Sequence, residues 1–309
     1  MAWHGTGAEF YQFLLSFGVL GGASASLLFN PGLAAIGHWF AKRRALATGV
    51  ACTAGGLGGI LFPLVILYLA PRIGFPWAIR VIALLCAVFL AVACVTLRKR
   101  LPNNSRAGAA VDLRALRDTK FATTTLAIFL VEFAVFIPYT YISSYALHAG
   151  VPARRAYLLN ALLNAGAVPG RALPGYIADR FGVFNTMCAT AGTCAAFILA
   201  LWYNAGEDEG LITAFAVVFG FWSGAAISLT PVCVGQVCRV EDLGKRNGTA
   251  FFVASFGTLV GVPIAAAVLE RDGGDYGGLI VFGGAFYFAA FAAFVLARGV
   301  AGGWTWKRF

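Results

Sequence analysis

Long apolar stretches separated by short polar gaps run along almost the whole chain. They lie at residues 12–38, 46–70, 77–97, 121–146, 155–176, 184–203, 211–234, 248–269 and 278–297. Each stretch is about 20 residues or longer, the length that an α-helix needs to cross the hydrocarbon core of a bilayer. A transmembrane β-barrel would instead show alternating segments of about 10 residues. The pattern therefore predicts an all-α, polytopic membrane protein with about nine transmembrane helices.

The composition agrees with a protein whose main partner is the lipid bilayer. Of the 309 residues, 60% are hydrophobic and only 12% are charged, whereas a soluble domain is nearer a half and a quarter. The net charge of +10 is typical of many nucleic-acid-binding proteins, but 17 of the 23 basic residues lie in alternate gaps and in the C-terminal tail. That alternation indicates membrane topology, so no nucleic-acid partner is expected.

The positive-inside rule gives the orientation and the domain boundaries. It places the odd-numbered gaps and the C-terminus in the cytoplasm and the N-terminus outside. The longest polar segment, 98–120, is predicted to be a cytoplasmic basic linker, and residues 111–117 within it are predicted to form a short amphipathic helix. It separates a three-span N-terminal bundle at 1–97 from a six-helix bundle with a short cytoplasmic tail at 121–309.

One polar motif, at residues 175–182, reads G-Y-I-A-D-R-F-G. Gly175 permits close packing, and Gly182 lets the chain turn. Asp179 can accept hydrogen bonds at the N-terminus of a neighbouring helix, where negative charge is favoured, and Arg180 suits the cytoplasmic face. These residues are predicted to act in conformational change.

This motif resembles the signature that the major facilitator superfamily carries between its helices 2 and 3 and often again between helices 8 and 9. Five spans precede the motif here, so only the second location fits. The resemblance therefore equates the nine spans with helices 4–12 of a twelve-helix bundle and implies that the first three helices are lacking.

Three further segments, 37–63, 223–236 and 244–264, are similar to the monocarboxylate-porter branch, most closely to its fungal members. The resemblance implies a secondary transporter that moves a small organic anion such as a monocarboxylate by alternating access. It implies no enzymatic activity and no cofactor, and it favours the plasma membrane over an organelle membrane. Proton symport and an ancillary membrane partner are left open. The alternative is a truncated membrane protein without transport activity, or an incomplete gene model.

Arg171 is the main candidate for substrate binding, because a charge inside an apolar span is functional by default. Asn160 and Asn164 lie on the same side of that helix, and a guanidinium can grip a carboxylate with two hydrogen bonds. Ala167 stands where animal members of the family carry an aspartate. The alternative for Arg171 is to cap another helix. Further candidates for substrate binding are Asn30, Tyr139 and Trp222.

Glu132 is the only acidic residue well inside a span, and it is the candidate for proton coupling. A partner for Arg171 and a polar packing role are the alternatives. No catalytic constellation and no metal site are predicted, since the seven cysteines form no CxxC pair.

Glycine pairs at four-residue spacing are predicted to let helices approach closely. They are Gly18 and Gly22, Gly55 and Gly59, Gly166 and Gly170, Gly220 and Gly224, and Gly257 and Gly261. The run GGLGG at 55–59 lies inside an apolar span, so it is not a phosphate-binding loop.

The orientation can be tested by cysteine labelling in a background in which the seven native cysteines are replaced. Asn104→Cys lies in the predicted cytoplasmic linker, so an impermeant maleimide should label it only after the cells are permeabilised. Glu207→Cys, in a predicted outside gap, is the matched control and should be labelled in intact cells. The opposite pattern would show that the chain is inserted the other way round.

Overall fold

Nine long helices make up the computed structural model, which describes residues 10–98 and 111–304. We number them α1 (Phe10–Phe13, the π-helical Leu14–Leu20 and Gly21–Trp39), α2 (Arg44–Ile73), α3 (Phe75–Thr96), α4 (Thr119–His148), α5 (Ala153–Phe181), α6 (Val183–Phe197 and the π-helical Ile198–Trp202), α7 (Glu209–Gln236), α8 (Leu243–Arg271) and α9 (Tyr276–Gly302). No strand occurs in these ranges. The all-α helical bundle predicted from the apolar stretches is confirmed.

Eight of these helices are long and apolar enough to cross a membrane, and α5 is the exception. With 29 residues, α5 is about 43 Å long, but it carries four arginines and an aspartate. It packs against α2, α4, α6 and α7. These neighbours cover part of its surface, and the remaining surface along its middle is apolar, with Leu162, Leu173 and Ile177 exposed. The observed helix also extends beyond the predicted 155–176 at both ends.

Burial divides the described helices into two groups. In the most apolar window of α4, 67% of the residues are buried, whereas the corresponding share in α1, α2 and α3 is 6%. The helices α4–α9 enclose two apolar clusters, in one of which Trp202 stacks on Phe215 at 5.1 Å between ring centroids. The outward apolar side chains of α1–α3 suit contact with lipid.

The helices α5 and α7 touch backbone to backbone through two of the predicted glycine pairs. A Cβ atom added at Gly166 or Gly170 would overlap the backbone of α7, and one added at Gly220 would overlap the carbonyl oxygen of Leu163 on α5. At Gly224 the added atom would lie 2.8 Å from the carbonyl oxygen of Ala167. Only glycine allows this separation.

A similar close contact joins α2 to the opposite side of α5. A Cβ at Gly49 would overlap the carbonyl oxygen of Arg171, and one at Gly175 would lie 2.6 Å from the carbonyl oxygen of Ala45. The predicted pair Gly18 and Gly22 behaves differently, because no other described helix lies within 4 Å of either Cβ position. For this pair the prediction of close packing is wrong among the described residues.

The end of the predicted linker is fastened to the start of α8. The backbone N–H of Asp112 donates to Thr249 Oγ1 at 2.9 Å, and Lys245 Nζ lies 3.2 Å from Asp112 Oδ2. The hydrogen bond from Lys245 lowers the pKa of Asp112. Residues Leu113–Arg117 form a 3-10 helix where an amphipathic helix was predicted. Residues 1–9, 99–110 and 305–309 lie outside the described residues, so the domain boundaries stay predictions.

The α5–α7 contact leads to a stability prediction. Gly220→Ala should lower the apparent melting temperature in detergent by about 2–8 °C, because overpacking costs about 1–3 kcal/mol. Gly22→Ala is the matched control: its added methyl group meets open space, and alanine favours a helix more than glycine does. Equal melting temperatures for the two variants would contradict the close contact.

Candidate functional site

A cavity of about 620 Å³ lies between α1, α2, α5 and α7, and its α2 wall is the segment from Ala51 to Gly55. Its walls are almost entirely apolar, and Arg171 carries the only charge among its described lining residues. The lining residues are Leu28, Phe29, Gly32, Leu33, Ile36, Ala51, Cys52, Ala54, Gly55, Leu97, Arg171 and Ile227. The cavity therefore combines one cation with a nonpolar surface.

Arg171 is held across the α2–α5 contact. Its side chain is only 7% exposed, and Nη1 donates a 2.7 Å hydrogen bond to the carbonyl oxygen of Cys52. Its Nε is buried and has no hydrogen-bond partner among the described residues. Cys52 lies in the first third of α2, so Arg171 does not cap the C-terminus of that helix. A buried guanidinium with an unused N–H has capacity for a further acceptor.

The two other polar residues on this side of α5 are placed differently. The Asn164 amide lies against Gly59 of α2, and its Nδ2 donates to the carbonyl oxygen of Asn160 at 2.9 Å. Asn160 is half-buried, one helical turn further from Arg171. Arg171 and Asn164 therefore share the α2 side of the helix, and Asn160 supports Asn164 through its backbone.

Tyr139 approaches the site from α4. Its hydroxyl lies 3.2 Å from Ser223 Oγ and within interaction range of the Arg171 guanidinium. Its ring meets Phe219 edge-on at 6.3 Å between centroids. The packing of α4 against α7 thus positions a phenol that interacts electrostatically with the buried cation.

Asn30 lies in a neighbouring cavity of about 580 Å³, together with Ser26 and Phe251. Both cavities are lined by Leu28 and Phe29, so α1 forms the wall between them. Asn30 Oδ1 is buried, and no described residue donates a hydrogen bond to it. Asn30 is therefore close to the Arg171 cavity but not part of its lining.

Glu132 and Trp222 line neither of these two cavities. Glu132 is 8% exposed inside the six-helix bundle, near Tyr287 of α9. Neither ion pair found among the described residues joins it to Arg171. Trp222 meets Phe221 edge-on at 5.3 Å and packs against the apolar core. The structure thus groups Arg171, Asn164 and Tyr139 and leaves these two apart.

The signature residues fasten α5 to the N-terminus of α2. Asp179 accepts hydrogen bonds from the backbone N–H groups of Ala45 and Leu46, at 3.1 and 2.9 Å. The Arg180 guanidinium lies over the Tyr176 ring at 4.6 Å, and Gly182 turns the chain into α6 with φ +101°. A carboxylate at a helix N-terminus is stabilised by the helix dipole.

A further hydrogen bond connects α2 to its neighbours at the same end of the molecule. Arg44 Nη1 donates to the carbonyl oxygen of Gly235 at 3.3 Å and so connects α2 to α7. Beside it lies a cavity of about 750 Å³, lined among others by Lys42, Asp179 and Gln236. The beginning of α2 is therefore held by both α5 and α7.

Sequence reasoning missed the α2 half of the site. The carbonyl oxygen of Cys52 accepts the Arg171 hydrogen bond, and Gly55 lies directly beneath the guanidinium. A backbone carbonyl carries no sequence signal. The spacing of Gly55 and Gly59 was visible and predicted helix packing, but nothing in it indicated which side chains would lie against the two residues.

Known proteins resemble this chain over most of its length. The family model described as Major Facilitator Superfamily matches residues 1–206. The MFS-type transporter opdF of Penicillium oxalicum is 36% identical, over 96% of this chain and 70% of that protein. The riboflavin transporter MCH5 of Saccharomyces cerevisiae is 32% identical, over 97% and 62%. The aspyridones efflux protein apdF of Emericella nidulans is 32% identical, over 91% and 59%.

The chain spans 59 to 70% of the length of these three relatives. The family match covers two thirds of the chain, and it agrees with the helical bundle and with the signature at 175–182. The chain therefore belongs to the Major Facilitator Superfamily.

Proposed function

We propose that the protein is a secondary transporter of a small organic anion, such as a monocarboxylate, and that Arg171 binds the anionic group. The observation that carries this proposal is a buried guanidinium, Arg171, in the lining of a cavity of about 620 Å³ whose other described lining residues are uncharged. The Nε of Arg171 has no hydrogen-bond partner among the described residues. Cavities of roughly 300–1,000 Å³ are the usual size of small-molecule sites. We predict the plasma membrane as the location.

Electrostatics favour an anion as the occupant. A charge within the membrane costs about 3 kcal/mol or more unless it has a partner or water. The carbonyl oxygen of Cys52 satisfies one N–H of Arg171 but carries no full charge. A substrate carboxylate would supply that charge and the geometry that a guanidinium matches best. The apolar lining suits one anionic group attached to a nonpolar body.

Alternating access requires the two groups of helices to rock about the site. In this structure α2 is fastened to α5 and α7 at the signature end, through Asp179 and Arg44. We propose that these hydrogen bonds break when the cavity opens toward that side. Each involves a backbone group that water could satisfy instead, which keeps the cost of breaking it moderate.

We propose Glu132 as the proton-coupling residue. The rings of Tyr287 and Tyr139 both meet the Phe219 ring, at 5.9 and 6.3 Å between centroids. Glu132 interacts electrostatically with Tyr287, and Arg171 with Tyr139. These buried polar groups follow one another from the centre of the six-helix bundle to the cavity. A change of charge at Glu132 would therefore influence the site through a region of low dielectric constant.

Substrate binding should depend on Arg171 in purified protein in nanodiscs, measured with a fluorescent carboxylate such as 2-naphthoate. Arg171→Ala should weaken binding at least about tenfold, because charge-assisted hydrogen bonds contribute about 1.5–3 kcal/mol. Arg171→Lys should restore it poorly, since the planar fork is lost.

Arg155→Ala is the matched control for this experiment. Arg155 lies on the same helix but is exposed, where it pairs with Glu209 at 3.0 Å. Its removal should leave binding unchanged, because exposed ion pairs contribute little. Unchanged naphthoate binding by Arg171→Ala would remove Arg171 from the site. Binding without saturable uptake in liposomes would favour a membrane protein that does not transport.

Proton coupling at Glu132 is tested by anion uptake into liposomes with and without a proton gradient. Glu132→Gln keeps the shape and removes the titrating group, so uptake driven by the gradient should fall to the level of exchange without it. The nearby control Thr125→Val changes a buried polar residue on the same helix and should keep the response. A full gradient response in Glu132→Gln would refute the proposal.

A further inference from the structure

We infer that Gly55 and Gly59 of α2 are positioning residues, whose missing side chains leave the space in which Arg171 and Asn164 lie. The inference deepens the proposed function and rests on it in one respect, since it assumes that this cavity is the anion site. The geometry itself concerns only the contact between α2 and α5.

The distances assign one glycine to each polar side chain. A Cβ atom added at Gly55 would lie 2.5 Å from Arg171 Nη1 and 3.5 Å from its Cζ. A Cβ atom added at Gly59 would overlap Asn164 Oδ1 and lie 2.9 Å from Nδ2. The two glycines are four residues apart and therefore lie on one face of α2. They form a side-chain-free surface under the two polar groups, which we call the glycine floor.

The glycine floor differs from the glycines that set the separation of the helices. Gly49 meets the backbone carbonyl of Arg171, and Gly56 meets Val168 and the backbone carbonyl of Asn164. A methyl group at these positions would force the helices apart. At Gly55 and Gly59 the three nearest described atoms are all at the ends of side chains, which can move aside. The expected consequence is displacement of the polar groups with the helix packing retained.

Displacement matters most for Arg171. Nη1 donates to the carbonyl oxygen of Cys52, three residues before Gly55 on the same helix. A methyl group at position 55 would occupy the space of that nitrogen, so the hydrogen bond would break and the guanidinium would leave its place in the cavity wall. Arg171 would still be present in the sequence, but its guanidinium would no longer lie at the proposed binding position.

The test measures the guanidinium position through charge-selective labelling and does not require transport. Cys52 lines the cavity beside Arg171 and serves as the reporter, with the other six cysteines replaced. Ala54→Cys, also in the lining, is a second reporter where Cys52 reacts slowly. The measured quantity is the ratio of the labelling rates with an anionic and a cationic methanethiosulfonate. A neighbouring cation raises this ratio.

We expect Gly55→Ala to lower the ratio at least about threefold, toward the value of Arg171→Ala. Gly58→Ala is the matched control: its added methyl group meets only Phe62 of its own helix, at 3.5 Å, so the ratio should not change. Gly55→Ala should also have no further effect in an Arg171→Lys background, because lysine lacks Nη1 and leaves room for the methyl group. Size-exclusion profiles and melting temperatures verify that each variant is folded.

Gly59→Ala should leave the labelling ratio near its wild-type value and weaken 2-naphthoate binding by displacing Asn164. An unchanged ratio in Gly55→Ala, or an equal fall in Gly58→Ala, would overturn the inference. A ratio that falls in Gly55→Ala, in a protein that binds no naphthoate, would support the glycine floor and reject the proposed anion site. The experiment can therefore reject the glycine floor and the proposed anion site independently of each other.

Discussion

The close approach of three helix backbones is the constraint on which the rest of the structure depends. α5 lies between α2 and α7, and on both sides the contact is glycine against backbone carbonyl, as at Gly175 and Gly220. In lipid no hydrophobic force draws helices together, so such tight van der Waals contact supplies the association. It also fixes the axis of α5, and with it the depth and direction of every polar side chain that the helix carries.

The bundle could be predicted from the sequence because its causes are local. Apolar length predicts the helices, and a charge inside an apolar span makes Arg171 a candidate site residue. The partners of Arg171 could not be predicted, since the carbonyl oxygen of Cys52 exists at every position of every chain. Packing by Gly166 and Gly220 was predicted and is observed, yet the same spacing at Gly18 and Gly22 packs nothing among the described residues. Spacing shows that a close contact is permitted and does not show whether a neighbour is present.

Backbone groups make most of the polar connections to α2. Asp179 binds the N–H groups of Ala45 and Leu46, and Arg171 binds the carbonyl oxygen of Cys52. In each of these hydrogen bonds α2 contributes a backbone group, which any residue at that position would supply. The side chains that form the bonds belong to α5. This also explains why α5 is the least apolar of the long described helices although it contacts four others.

The separation between glycine contacts and cavity lining has an evolutionary consequence. Substitutions at Leu33 or Ile227 would change the volume and shape of the cavity without touching a helix axis, because neither residue is one of the glycines that hold α5 in place. The residues that pack the helices and the residues that determine substrate selectivity can therefore diverge at different rates in evolution. Relatives named for riboflavin and for aspyridones are each 32% identical to this chain. Such divergence is expected if the helix packing is inherited while the cavity lining changes to accept different substrates.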